Sequence, residues 1–470
     1  MVMQSRKRPS LITVLRQNNS RRRTADETGN DIRHAVAISL IASGMILGGG
    51  GTSNPVTEIL LQLIAALLMA VWCLAPGQAP RKVSLWVPVV CLLVIALPLI
   101  QLIPLPPSIW HTLPGRDVEI ASLALVGREN SWMPWSITPG RTLAVFIAMI
   151  PPLAMMWFVA ALDERGRNGV LRAIAVMALV SVVLGAFQLA APIDKVPSFY
   201  SYIHRGYVIG FQANRNAEVD VLLIGALATT ALFAGRDTRV RQQAPAMVIY
   251  AMTMMLLLSG AVLSGSRGGI LLIPATALFA LLIVQPGGFF ARRTLIGISV
   301  IALVGLIAAW LLRDNAAIGK VAARFAADKD FRAELWTDTV YAIGQYWPFG
   351  GGMGSFIELM TPVERLEVVD PTLPSRAHND YLEILLEGGI FGIALIAAIT
   401  ICLIIMALKS WKSGSVTRAH GRFAFAAFFI IAAHSLVDYP FRSMSLAMLV
   451  GAAAGLLAPA GSTRGQSNAQ

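Results

Sequence analysis

Arg376-Ala-His-Asn-Asp-Tyr-Leu-Glu-Ile-Leu-Leu-Glu-Gly-Gly-Ile-Phe-Gly392 decides how this chain is read. The stretch ends a long polar loop with an arginine and a histidine. It then runs directly into an apolar helix long enough to cross a bilayer. Tyr381, Leu382 and Leu385 fall at helical spacing, and Glu383 and Glu387 lie one turn apart on the same helix. A lone histidine is usually structural. His378 has Arg376 and Asn379 beside it, and an ordinary imidazole titrates near pH ~6.5, so a ligand or general-base role is favoured.

Outward from this stretch the chain stays apolar. Of 470 residues, 56% are hydrophobic and 14% charged, and the mean hydropathy is +0.66. Soluble domains carry roughly 25% charged residues, so the expected fold is all-α, a polytopic transmembrane bundle. About twelve spans are expected, near 34–50, 57–75, 84–103, 142–162, 173–191, 217–234, 245–264, 268–285, 294–312, 389–408, 423–438 and 443–459. The first and last are weak, being rich in Gly or Ala. The run from Ala35 to Leu47 could pass for a signal-peptide core. The long basic segment before it, and the lack of a clean small-x-small site after it, make an uncleaved first span the expectation.

The net charge of +12 does not point to nucleic acid, because the basic residues sit between apolar spans, where they set topology. With the N-terminus inside, Arg81/Lys82, Arg165/Arg167/Arg172, Arg236/Arg239/Arg241, Arg292/Arg293 and Lys409/Lys412/Arg418/Arg422 all fall on the inner side. Cys73, Cys91 and Cys402 lie within apolar spans and give neither a disulfide framework nor metal-ligand spacing. The expected division is a basic cytoplasmic tail over 1–33, nine spans over 34–312, a large outer loop over 313–388, three spans over 389–459 and a cytoplasmic tail over 460–470.

Three outer segments are long. Pro104 to Arg141 holds Trp110, Trp132 and Trp135, residues expected to anchor it at the interface. Pro192 to Asn216 is the second. The largest, Arg313 to about Gly388, includes an amphipathic stretch from Phe331 to Tyr346 and is expected to fold as a helical cap. No internal repeat or matched pair of broken spans points to a secondary transporter.

Arginines on the outer side are the anomaly. Arg205, Arg215, Arg267, Arg332 and Arg376 lie in or beside outer loops, where topology should deplete them. A guanidinium fork matches phosphate oxygens. Arg267, in Leu263-Ser-Gly-Ser-Arg-Gly-Gly269, sits in a short turn between two spans, where a charge is costly unless paired or solvated. Arg332 taken alone reads better as a salt bridge to a neighbour on a solvated helical face, and Glu218 and Asp220 could hold Arg215 or face substrate hydroxyls. Phe349-Gly-Gly-Gly-Met-Gly-Ser355 fits both a phosphate cradle and a plain turn. Asp328-Lys-Asp330 spells a D-x-D, a short pattern common by chance, so no metal and no cofactor are expected.

Gly210-Phe-Gln-Ala-Asn-Arg-Asn216, Ser264-Gly-Ser-Arg-Gly268, Arg332 to Phe356, His378-Asn-x-x-Leu-Glu-x-x-x-Glu-x-Gly-x-x-Gly392 and His434-Ser-Leu-Val-Asp438 follow one another in an order and spacing that resembles the O-antigen ligase and polymerase-like superfamily of bacterial membrane glycosyltransferases. The resemblance covers about 200–450. It implies a metal-independent, inverting enzyme in the inner membrane, its active site facing the periplasm. Such an enzyme moves a glycan from an undecaprenyl-diphosphate carrier to lipid A-core (a ligase) or to another lipid-linked repeat (a polymerase), in lipopolysaccharide or exopolysaccharide assembly. It implies His378, Arg267 and Arg332 as catalytic, and Arg215, Arg205, Arg376, Asn379, Asn216 and Glu387 as substrate-binding. Membrane lipids, a chain-length regulator and a flippase are the partner classes it implies; nucleic acid is not among them. Asn-Arg-Asn stands where many members have Asn-Pro-Asn, a change expected to loosen the turn and add a charge. A lipid or polysaccharide transporter and a non-catalytic scaffold are the competing classes.

Overall fold

The computed structural model describes residues 11–50, 55–77, 80–192, 195–200, 203–284, 316–325, 331–365, 367, 375–413 and 418–458. These are helices joined by turns, with one two-residue ladder among the described residues, Pro104–Leu105 against Met133–Pro134. Seven described helices are long and apolar enough to cross a membrane: Val56–Leu74, Pro139–Ala161, Glu164–Ala190, Arg215–Ala234, Ala244–Leu263, Arg267–Val284 and Asp380–Lys412. Trp86–Gln101 and Met444–Leu457 are apolar but shorter. The span expected near 34–50 forms the end of a 37-residue helix, Leu11–Leu47. That near 423–438 is the 17-residue helix Arg418–His434, and that near 294–312 lies outside the described residues. The structure is thus an all-α, multi-pass membrane protein with seven such helices among the described residues.

The Arg215–Ala234 helix is the centre of the bundle. Its most apolar window is 78% buried, against 17% for Val56–Leu74, whose side chains face outward. It packs on Glu164–Ala190, Ala244–Leu263, Arg267–Val284 and Arg418–His434. The Gly/Ala-rich last span has a packing reason. Gly451 and Gly455 stand four residues apart in Met444–Leu457, and a Cβ on either would lie 2.3 Å from Pro152 O or 2.6 Å from Met156 O. Small residues at this spacing let two helices approach closely where apolar attraction between them is weak.

Two features of the loops position the polar end. Trp110 is fully buried and its Nε1 donates to Ser131 O at 3.0 Å. Trp135 donates to Gly350 O at 3.3 Å and packs edge-on against Phe349 and Phe391. Both tie their loop into the protein rather than anchoring it at an interface; only Trp132, at 65% exposure, faces outward.

The Asp380–Ser413 helix breaks at Gly389, with φ 56° and ψ −144°. The glycine-rich loop absorbs the break. Gly351 N and Gly352 N donate to Leu386 O and Glu387 O at 3.1 and 2.8 Å, and Ile390 N donates to Pro348 O at 3.0 Å. Gln101 adds Nε2 to Glu387 O at 3.0 Å and accepts Met353 N at 2.8 Å. Backbone groups released inside an apolar segment must be satisfied by protein, and this loop does so. The amides of Gly350, Gly351, Gly352 and Met353 are therefore occupied, which favours the turn over the phosphate-cradle reading. The expected helical stretch over 331–346 is present as Arg332–Tyr346, and a separate small core of Leu335, Ala342, Tyr346, Phe356, Leu359 and Leu386 joins it to the Asp380–Ser413 helix.

A Cβ on Gly389 would lie 2.0 Å from Pro348 O, at a φ that L-residues disfavour. Gly389→Ala is expected to destabilise the detergent-solubilised protein by roughly 2 kcal/mol or more. Gly344→Ala, in open space on the Arg332–Tyr346 helix, should stabilise it by up to about 1 kcal/mol. Thermal unfolding of the two variants checks the contrast.

Candidate functional site

The N-terminal ends of three helices, Arg215–Ala234, Arg267–Val284 and Asp380–Ser413, converge on the turn that follows Arg418–His434. The turn is held from below. Asp380 N donates to Ser435 O at 3.0 Å, Ser435 Oγ donates to Asp380 Oδ2 at 2.9 Å, and Phe441 N donates to the same oxygen at 3.2 Å. Asn379 caps the Asp380 helix, its Oδ1 accepting Tyr381 N and Leu382 N at 3.0 and 3.1 Å, and its Nδ2 donates to Leu436 O at 2.9 Å.

This frame sets two histidine–aspartate pairs side by side. His378 Nδ1 lies 3.0 Å from Asp438 Oδ1. His434 Nδ1 lies 2.8 Å from both carboxylate oxygens of Asp220. The His434 pair is buried; His378 keeps 22% of its side chain exposed, with Phe331 and Tyr439 edge-on to its ring. His378 also adopts φ 49°, a left-handed conformation uncommon outside glycine and costly to hold. Asp438 is buried, which alone would raise its pKa. The His378 hydrogen bond and the charges of His434, His378 and Arg332 outweigh burial and hold it below the usual carboxylate range. An ionised carboxylate only accepts, so Nδ1 of His378 donates to Asp438.

The expected site residues distribute around this centre as follows. Arg332 is half-buried, stacked 5.9 Å over the Phe331 ring, and its charge acts on Asp438. Arg267 opens its helix directly before Gly268, where a Cβ would stand 2.8 Å from His434 Nε2. Asn216 is buried and its N–H is capped by Asn214 Oδ1 at 2.9 Å; Asn214 Nδ2 in turn donates to Tyr439 OH at 3.3 Å. Arg215 occupies the first helical position, where proline's fixed φ is also favoured; its N–H donates to His204 Nδ1 at 3.3 Å, and the Asn214 cap closes the turn. Arg215 stacks 4.5 Å over Tyr207, and Arg205 is exposed on the same segment. Glu218 accepts the Ser181 hydroxyl and Asp220 accepts His434. Asp328 and Asp330 lie outside the described residues.

Arg376 and Glu387, expected among the substrate ligands, belong to a buried ion cluster. Asp380, Glu383 and Glu387 share one helix face. Arg442 reaches them with Nη2 to Glu387 Oε2 at 2.7 Å and Nε to Glu383 Oε1 at 3.2 Å, while Arg376 Nη1 pairs with Glu383 Oε1 at 3.0 Å. Glu387 Oε1 accepts Phe356 N at 3.3 Å, so both its oxygens are occupied. Burial alone would weaken proton binding by Arg442; the carboxylates of Glu383, Glu387 and Asp380 outweigh it and hold its pKa above the ordinary value. Tyr439 and Arg442 belong to this site without having been singled out from sequence; Asp220 and Asp438 were noted there, but not their pairing with His434 and His378. The His434-x-x-x-Asp438 spacing was the available signal.

Residues 252–397 match the family model for the O-antigen ligase domain. The match contains Arg267, Arg332 and His378, and ends before His434, Asp438 and Arg442. No curated protein matches the chain.

Removing one partner of a buried ion cluster strands the others. Arg442→Ala should destabilise the protein by roughly 3–5 kcal/mol, and Arg376→Ala, whose side chain is 24% exposed, by clearly less. Thermal unfolding in detergent measures both.

Proposed function

We propose that this protein is a membrane glycosyltransferase that moves a glycan from an undecaprenyl-diphosphate carrier to a hydroxyl acceptor on the periplasmic face of a bacterial inner membrane, in lipopolysaccharide or exopolysaccharide assembly. The observation that carries it is the His378–Asp438 pair beside Arg332, with the histidine inside the matched O-antigen ligase region. The ligase-type reading, with lipid A-core as acceptor, is preferred because the matched region bears that description; a polymerase joining lipid-linked repeats is the alternative. The topology that goes with it has about twelve spans, a cytoplasmic tail over 1–33, and the loop over 313–388 in the periplasm.

His378 Nε2 takes the proton of the acceptor hydroxyl as its oxygen attacks the anomeric carbon. Asp438 fixes the ring and stabilises the imidazolium that forms. The bond from the anomeric carbon to the diphosphate oxygen breaks on the opposite side, with inversion, and its electron pair goes to the diphosphate. Arg267 and Arg332 stabilise that charge, and Arg215 and Arg205 draw the diphosphate towards the site. Asn216 and Asn379 shape the binding turns. Holding donor and acceptor together at one membrane surface supplies much of the remaining rate. Chain-length regulators and flippases are the expected partner classes.

The test uses purified protein in liposomes with undecaprenyl-diphosphate-linked repeats, and products resolved on a gel. Product that appears only with lipid A-core supports the ligase reading, and a ladder of lipid-linked chains without it supports the polymerase. His378→Ala should abolish product while the protein still inserts and folds; full activity in that variant would sink the base assignment. Asp438→Asn should lower kcat roughly 10²–10⁴-fold with little change in KM.

A further inference from the structure

We propose that a cavity at the end of the bundle remote from His378 binds a phosphate group, carried by a phospholipid headgroup or present as free phosphate. The Leu11–Leu47 helix joins the two ends. Just beyond its last turn Gly49 borders the small cavity beside Asp220 and Asp438. Asp26, Asn30, Arg33 and His34, near the other end of the same apolar stretch, line a separate cavity of about 260 Å³ with Arg81 and Asp163. At 1.5 Å per residue the two lie about 22–35 Å apart along the helix, so they are distinct sites. The inference does not depend on the glycosyl-transfer reading.

Arg33 carries the argument. It is only 5% exposed. Nη2 makes a single long hydrogen bond, 3.3 Å to Ala75 O, and Nε has no hydrogen-bond partner among the described residues. No carboxylate among them comes within ion-pair distance of it. A buried guanidinium has five donors to satisfy and is unfavourable without a counter-charge. The cavity it borders is the space from which one can come.

One of the two carboxylates lining this cavity, Asp163, is already committed. Asp163 Oδ1 caps the next helix through Gly166 N at 2.8 Å and pairs with His34 Nε2 at 2.9 Å. Asp26 has an interaction of its own. Positive charge dominates what remains. Arg81 is exposed at the edge of the cavity. Arg167, five residues after the lining residue Leu162, is buried, with Nε and Nη2 spent on the Leu162, Ala160 and Ala458 carbonyls and no carboxylate bonded to it among the described residues. Two arginine forks around a polar cavity match the tetrahedral oxygens of a phosphate better than a planar or uncharged ligand.

The experiment measures thermal unfolding of the full chain in an uncharged detergent. It is titrated separately with dihexanoyl-phosphatidylglycerol, with inorganic phosphate, and with sodium chloride at matched ionic strength. A saturable rise in Tm with phosphatidylglycerol alone identifies a lipid headgroup; a rise with inorganic phosphate as well identifies the free anion as sufficient. In Arg33→Gln the titration midpoint should rise about tenfold or more. If neither ligand exceeds the chloride control, or if Arg33→Gln titrates like the unaltered protein, the proposal is wrong. Should Arg33→Gln fail to fold, Arg81→Gln at the exposed edge takes its place, and an unchanged midpoint there overturns the proposal equally.

Discussion

The bond on which this site depends is between Arg442 and the carboxylates of the Asp380 helix. Glu383 and Glu387 are fully buried, and a buried carboxylate is tolerated only with a partner. Arg442 supplies it from a short 3-10 turn, Pro440–Arg442, that lies four residues beyond Asp438 at its far end. Pinning that turn to the helix fixes the distance between Asp438 and His378, because His378 lies two residues before the same helix begins. The ion cluster thus does for the histidine what packing alone would do loosely. The cluster holds the frame, and His378 is left at its partly open edge.

A second constraint comes from the bilayer. The Asp380–Ser413 helix starts in a polar cluster and ends as an apolar span, and between the two it must change direction. The break at Gly389 frees the carbonyls of Leu386 and Glu387. The loop over 347–355, with positive φ at Gly350, Gly352 and Gly354, comes close enough to satisfy them. The glycines that looked like a ligand cradle are there because backbone has to meet backbone. Gln101, from a different helix, completes the arrangement by both donating and accepting, so the break is locked on two sides.

This explains which parts of the site the sequence made visible. Composition and span length showed a helical membrane protein, and the outer arginines stood out because topology should remove them. His378 stood out through its neighbours. Its partner did not, because Asp438 is 60 residues away, and Asp220 is 214 residues from His434. Pairings across such separations leave no local period to read. Glu387 was misread for the same reason. On its own helix it looks like a polar residue facing a ligand, and only Arg442, 55 residues on, shows that its charge is consumed inside the protein. The tryptophans failed differently: an aromatic in a loop between spans has the same sequence signature whether it meets lipid or, like Trp110, is fully buried in protein.

The same reasoning separates the arginines by what surrounds them. Arg376 and Arg442 touch carboxylates at 2.7–3.2 Å and are held in place as structure. Arg332 and Arg215 instead have their guanidinium groups against aromatic rings, Phe331 at 5.9 Å and Tyr207 at 4.5 Å. A ring face orients a guanidinium through its π-system without neutralising its charge. The carboxylate contacts tie Arg376 and Arg442 into the cluster that carries the Asp380 helix, whereas the ring contacts fix where the guanidinium groups of Arg332 and Arg215 stand.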